Sequence, residues 1–241
     1  MRRIFTLLFL ACITTVKSQL LSWSPAFIQE DSNPIEIIMD AAKGNQGLKD
    51  YVSTADVYVH TGVITTFSTS SADWKHVKYG DFNTPSPTVQ CSYLGNNKWK
   101  YTIAGGLRAF YGVTDPTEKI VKIAILFRNG VGTKKQANAD GSDMYIPIYG
   151  TGLQVRLDEP FEEPRYTPVT EPLNKALGDN IAINAKSSIN ATLKLYLNGT
   201  QLGSTVVNAT NISANTTISS YGTQTIIAEA ATGTETKKDT I

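Results

Sequence analysis

The sequence predicts an all-β protein, two β-sandwich domains in tandem with the second immunoglobulin-like, and three observations predict it. Apolar and polar residues alternate over short runs such as 55–66 and 98–103, the period-2 signature of half-buried strands. Turn-forming Gly, Asn, Asp and Ser residues separate those runs, and helical periodicity is scarce. Composition changes after Gly150-Thr151-Gly152, and from Asn180 onward Tyr196 and Tyr221 are the only aromatic residues. The expected divisions are a leader at 1–18, a first sandwich at 19–152, a proline-rich linker or edge strand at 153–172 and a second sandwich at 173–241.

Residues 1–18 read as a secretory signal. Arg2 and Arg3 form a charged start, 4–16 an apolar stretch too short to cross a membrane, and Val16-Lys17-Ser18 a small-residue exit before Gln19. The rival reading is a bacterial lipoprotein site at Phe9-Leu10-Ala11-Cys12 with lipid on Cys12, which Phe9 fits poorly. Either reading makes the protein secreted or cell-surface, and no other segment is apolar enough to span a bilayer. Of 22 basic residues, Arg2, Arg3 and Lys17 fall in the leader, so 19 basic face 21 acidic residues in what remains. That near-neutral balance argues against nucleic acid as partner, because phosphate binding leans on clustered Lys and Arg. Cys91 is then the single cysteine, so no internal disulfide forms and about 220 residues must rely on their core. Cys91 itself reads as a small buried hydrophobe.

In chain order, 34–50 opens as a strand through Ile35, Ile37 and Met39, turns at Lys43-Gly44-Asn45 and leaves a weak helix signal at 46–51. The next strand sets Val57 and Val59 on one face and Tyr58 and His60 on the other. Trp99 and Tyr101 alternate with Lys98 and Lys100, an inward-facing aromatic pair. Residues 119–128 are almost continuously apolar. Val121, Ile123, Ile125 and Phe127 share one face, and Ile120, Ala124 and Leu126 lie on the other, as a central strand requires. Asn129-Gly130 signals a turn, 131–143 a polar exposed loop, and 144–149 a strand that Pro147 confines to an edge or a bulge. Prolines 160, 164, 168 and 172 block both helix and central strand. Further strands are expected at 181–185, 191–197, 209–218 and 223–230, with a hairpin turn at Asn198-Gly199. About 75 residues of such strands fit a small immunoglobulin-like sandwich. The abrupt stop at Lys237-Lys238-Asp239-Thr240-Ile241 reads as a truncated second domain or a fragment of a longer chain.

Residues 57–77 carry the candidate site. Tyr58 and His60 share a strand face, and a polar loop delivers Trp74 and His76. A flat indole beside imidazole and hydroxyl groups suits a pyranose ring, which is apolar on one face and rimmed by hydroxyls. The competing reading is ordinary tryptophan packing; the polar run 68–73 before Trp74 and Lys75-His76 after it favour exposure. Arg128, Asn129 and Asp143 are further candidates for bonding sugar hydroxyls, Arg128 as a planar multi-donor. Asn129, Asp140 and Asp143 equally suit turns and caps. Oxygen-bearing side chains through 138–143 leave calcium at Asp140 and Asp143 as a minor option without the later bidentate acid; no other cofactor or metal is expected. Five Asn-x-Ser/Thr sequons, at Asn190, Asn198, Asn208, Asn211 and Asn215, read as the composition of an Asn/Thr-rich β domain.

Catalytic patterns are scarce. His60 and His76 show no metal spacing, and there is no Gly-x-Ser-x-Gly elbow or phosphate loop. Asp158, Glu159, Glu162 and Glu163 cluster in the proline-rich stretch, a poor setting for two acids that must oppose each other across a cleft.

Several motifs recur in a familiar order: Pro25-Ala26-Phe27, then 35–41, Gly44-Asn45-Gln46-Gly47-Leu48, VYVHTGVIT at 57–65, Trp74-Lys75-His76-Val77, Phe127-Arg128-Asn129-Gly130, and 140–146. This string resembles the N-terminal non-catalytic region of secreted α-amylase-family glycoside hydrolases from Bacteroidetes, well over 25–150 and loosely over 151–241. The resemblance implies a starch-binding-type β-sandwich, an immunoglobulin-like module and, after them, a (β/α)8 catalytic barrel. The front module is also similar in plan to starch-binding modules of carbohydrate-binding families 25 and 26. In those, aromatics or histidine two apart on a strand and a later tryptophan cradle maltooligosaccharide. Tyr58, His60 and Trp74 stand in those positions, with Asn129 and Asp143 as looser matches. The barrel's aspartate nucleophile and glutamate acid lie beyond this chain, so the resemblance implies no enzyme within these residues. The partners it implies are an α-glucan and a catalytic domain in a longer parent. The alternative is a structural spacer or adhesin-like sandwich pair that binds no sugar.

Overall fold

The computed structural model describes residues 19–170 and 175–241. The leader expected at 1–18, its Cys12 alternative and Pro172 lie outside them. The first half contains β1 (Leu21–Ser24), β2 (Ile35–Asp40), β3 (Val57–Thr65), β4 (Lys75–Lys78), β5 (Ser92–Gly95), β6 (Lys98–Ile103), helix α1 (Leu107–Tyr111), β7 (Ile120–Asn129), β8 (Lys135–Gln136) and β9 (Met144–Pro147). They form two antiparallel sheets, one in the order β1-β2-β6-β5 and the other β4-β3-β7-β8, with β9 also on β7.

Alternation explains how the two sheets meet. Ile35, Ile37, Met39, Trp99 and Ile103 face inward from the first sheet, and Val57, Val63, Ile123, Ile125 and Phe127 from the second; all are fully buried in one cluster. Each such aliphatic or aromatic side chain contributes about 1.5–3 kcal/mol when removed from water. The Trp99 indole Nε1 also donates to the Thr54 carbonyl at 2.9 Å. Thr61 is the polar member of this interior. Its hydroxyl lies 2.7 Å from the Tyr111 hydroxyl and donates to the Ala124 carbonyl at 2.8 Å.

The second half contains β10 (Val155–Glu159), β11 (Glu162–Glu163), β12 (Val169–Thr170), β13 (Asn180–Leu197), β14 (Thr200–Thr217), β15 (Ile226–Ala231) and β16 (Thr236–Thr240). β13 and β14 form a long hairpin closed by Asn198 and Gly199, both at positive φ, as a two-residue turn between twisted strands requires. The near half of β13 pairs with β10 and the far half with β15. A separate buried cluster includes Leu153, Ile183, Leu193, Leu195 and Ala228.

Three expectations are corrected. Residues 46–51 form turns, because Gln46 and Asp50 both adopt φ of 56°, left-handed backbone that no right-handed helix accommodates. The short helix α1 lies instead between Gly106 and Gly112, the latter left-handed at φ 75°. The stretch 131–143 is not wholly an exposed loop. Gln136, Ala137 and Asn138 are buried, and the Gln136 side chain donates to the Lys43 carbonyl and accepts from the Leu48 amide, so its polar atoms lose nothing on burial. The proline-rich stretch, expected as a linker or edge strand, holds the short β11–β12 pair. Finally, the strands expected at 181–185 and 191–197 are one strand, with a register shift between Lys186 and Ala191.

Trp99→Ala is expected to cost about 3–5 kcal/mol of unfolding free energy, as for a large side chain removed from a close-packed core. Thr61→Val is expected to cost about 1–3 kcal/mol by stranding the Tyr111 hydroxyl. Urea unfolding followed by circular dichroism checks both; a change under about 1 kcal/mol for Trp99→Ala would contradict its place between the sheets.

Candidate functional site

The candidate site occupies the outer face of the second sheet. With Val57, Val59 and Val63 turned inward, strand alternation sends Tyr58, His60, Gly62 and Ile64 outward on β3. Register then sets Tyr58 opposite Arg128, His60 opposite Leu126 and Gly62 opposite Ala124, and β9 adds Tyr145 opposite Ala124. The segment between β3 and β4 folds back across this face and carries Trp74. Glycine at 62 eases that approach: a Cβ there would lie a tight 3.0 Å from the Lys75 carbonyl oxygen and 3.4 Å from Trp74 Cε3.

Half-buried Trp74 is the centre of the aromatic group. Its ring stacks on His60 at 5.7 Å between centroids and 27° between planes. Its Nε1 donates to the Tyr145 hydroxyl at 3.2 Å, which donates in turn to the Ser71 carbonyl at 2.8 Å. Tyr166 meets Tyr145 edge-on at 5.4 Å, and Phe82 meets His60 edge-on at 5.3 Å. His60 Nδ1 is buried with no hydrogen-bond partner. Burial lowers the His60 pKa, the Arg128 charge lowers it further, and Asp143 opposes both.

Sequence reasoning brought Tyr58, His60, Trp74, His76, Arg128, Asn129 and Asp143 forward together; the structure gives them different tasks. Arg128 is only 1% exposed. Its guanidinium donates to the carbonyls of Asn129, Gly130 and Thr84, and sits over the rings of Tyr58 (5.6 Å) and Phe82 (5.3 Å). It ties the segment around Thr84 to the sheet and has no outward fork for sugar hydroxyls. Asn129 is buried as well. Its amide donates to Thr133 Oγ1 and its carbonyl oxygen accepts from the Lys134 amide, closing the turn after β7. Tyr58 lies buried beneath Arg128. Arg128 and Asn129 share one reason: β7 is buried on both faces from Ile123 through Asn129, so polar side chains there must bond within the fold. Tyr58 is covered by Arg128 across the β3–β7 pair.

His76 anchors the base of the same segment. Its Nε2 lies 3.0 Å from Glu118 Oε2, while Glu118 Oε1 accepts from the Thr65 hydroxyl at 2.8 Å. Burial pushes the Glu118 carboxyl up, but the Thr65 and His76 hydrogen bonds outweigh it and hold the pKa below the usual glutamate range. Asp143 pairs with Lys135 at 3.6 Å. Asp140 accepts from the Ser142 amide and hydroxyl and pairs with Arg165. Each acid named for calcium therefore has a cation beside it, and no cluster of three His, Cys, Asp or Glu groups suited to a metal occurs among the described residues. Three acids of the proline-rich stretch are also engaged: Asp158 with Arg156 and Lys186, Glu159 with Asn184, Glu163 with Arg165.

Phe82, Tyr145 and Tyr166 belong to the face and were not anticipated. Tyr145 alternates with buried Met144 and Ile146 on an edge strand, a visible signal; Phe82 and Tyr166 lie in turn-rich segments without periodicity. No protein-family model matches the chain, and no curated protein matches it.

Because the folded His60 has a pKa below its unfolded value, the native state binds fewer protons, and stability falls as pH drops through and below about 6.5. Wild type is expected to lose more urea stability between about pH 7.5 and pH 5.5 than His60→Gln does. Equal losses would show that His60 does not carry the acid sensitivity.

Proposed function

We propose that this chain is a non-catalytic α-glucan-binding region of an extracellular or cell-surface starch-degrading protein, its C-terminal strands serving as an immunoglobulin-like companion module. One observation carries the reading. Trp74 and His60, both half-buried, stack on one another on the outside of a sheet, whereas Trp99 is wholly sealed between sheets. A tryptophan held at the surface by Gly62, Tyr145 and His60 is a rigid apolar plane backed by an imidazole. That combination fits a glucose ring, whose C–H face stacks while its rim hydroxyls bond. Stacking contributes about 0.5–1.5 kcal/mol beyond the area buried. With a few exposed hydrogen bonds the expected Kd is about 10 µM to 1 mM, or about −7 to −4 kcal/mol. His76 and Asp143 flank this pair as secondary contacts, and Arg128, Asn129 and Tyr58 hold the platform from beneath.

The spacer reading has its own support: Trp74 packs against the main core and against the Ile64–Ala124–Tyr145 cluster, and its Nε1 is bonded within the chain. Migration through a native gel containing soluble starch separates the two. Retardation of wild type, weakened at least about tenfold in apparent affinity by Trp74→Ala with an unchanged circular dichroism spectrum, is the expected result. Unretarded wild type would leave the spacer reading standing.

A further inference from the structure

A second cleft lies away from this face, between the outer side of the first sheet and the strands β10, β13 and β14. It encloses about 560 Å³, within the range of roughly 300–1,000 Å³ usual for small-ligand sites. One wall holds Trp23 from β1. The other is the outward face of β10–β13–β14, where Asn184 pairs with Ser213 and Lys186 with Asn211, opposite in sense to the buried Ile183, Ala185 and Ile212.

The charged groups of the cleft cancel and are held in place. Three basic residues (Lys98, Arg156, Lys186) face three acidic ones (Asp40, Asp158, Glu159) along its lining. Asp158 binds Arg156 at 2.7 Å and Lys186 at 2.6 Å, and Arg156 also lies 4.7 Å from the Trp23 ring and donates to the Ala26 carbonyl at 3.2 Å. Asn184 donates to Glu159 Oε2 at 2.7 Å. Such cross-linked side chains have already lost their rotamer freedom, which lowers the entropic cost of binding. A balanced lining carries no net charge to select an anion or a cation. Asn184 and Asn211 already donate to Glu159 and the Thr210 hydroxyl, and the Trp23 indole donates to the Ala26 carbonyl. The lining therefore offers amide oxygens, the Ser213 hydroxyl and an apolar indole edge to a neutral polyhydroxylated ligand. Among the described residues the Ser213 hydroxyl makes no hydrogen bond within the chain, so the wall keeps bonding capacity to spare.

We propose that this cleft is a second saccharide site, taking a short neutral oligosaccharide independently of the Trp74 face. Titration of maltotriose and, separately, cellotriose into the 15N-labelled chain tests it, followed through the indole N–H signals of Trp23 and Trp74 and the side-chain amides of Asn184 and Asn211. Saturable movement of the Trp23, Asn184 and Asn211 signals with either sugar is expected. It should persist in Trp74→Ala and vanish in Ser213→Tyr, which fills the cleft from an exposed strand position without touching the core. Stationary cleft signals with both sugars, or movement that Ser213→Tyr leaves intact, would overturn the proposal. Movement of Trp74 alone would overturn it while sparing the glucan reading; movement of Trp23 alone would do the reverse.

Discussion

The pairing of β3 with β7, in unbroken register from Val57–Asn129 to Ile64–Lys122 before a shift at Thr65–Ile120, is the constraint on which the rest depends. Side chains alternate with a period of two, so this register decides which half of each strand enters the interior. A slip of one residue would turn one strand over, exposing either Val59 and Val63 or Ile123 and Phe127 and driving either His60 or Arg128 between the sheets. The aliphatic and aromatic losses alone, at about 1.5–3 kcal/mol each, make that arrangement untenable. The same register brings Tyr58, His60, Gly62, Ala124, Arg128 and Tyr145 onto one outer surface, which becomes the candidate site.

Arg128 converts that surface into a fixed platform. A buried guanidinium needs hydrogen-bond partners, and here carbonyls of Asn129, Gly130 and Thr84 supply them while two rings sandwich the charge. The segment bearing Phe82 is thereby held against His60, and the His76–Glu118–Thr65 chain secures the segment bearing Trp74 from the other side. Trp74 thus owes its orientation to bonds made some distance from its own ring, through residues whose chemistry suggests contact with ligand but whose burial assigns them to support.

Much of the fold was legible because periodicity reports burial directly. The inward pair Trp99 and Tyr101, the apolar β7, the edge character of Pro147 and the Asn198-Gly199 hairpin all follow from local pattern. What escaped depended on partners distant in sequence. Gln136 and Asn138 look like loop residues until the backbone of 43–48 and the Ser142–Asp143 turn are placed beside them. Arg128 looks like an exposed multi-donor because nothing local reveals that the Thr84 region closes over it. For the site, the His60–Trp74 pair was visible in the alternation and the polar flanks. The same flanking signal, Ser22 and Ser24 around Trp23, accompanies the tryptophan of the second cleft.

The central claim is that sugar docks on the outer face of β3, β7 and β9. A crystal structure of the chain with maltohexaose tests it most directly. The account predicts a glucose ring lying along the Trp74 indole, with a hydroxyl within hydrogen-bonding distance of the His60 imidazole. An outer face left bare at saturating maltohexaose would contradict it and return Trp74 to the role of a packing residue.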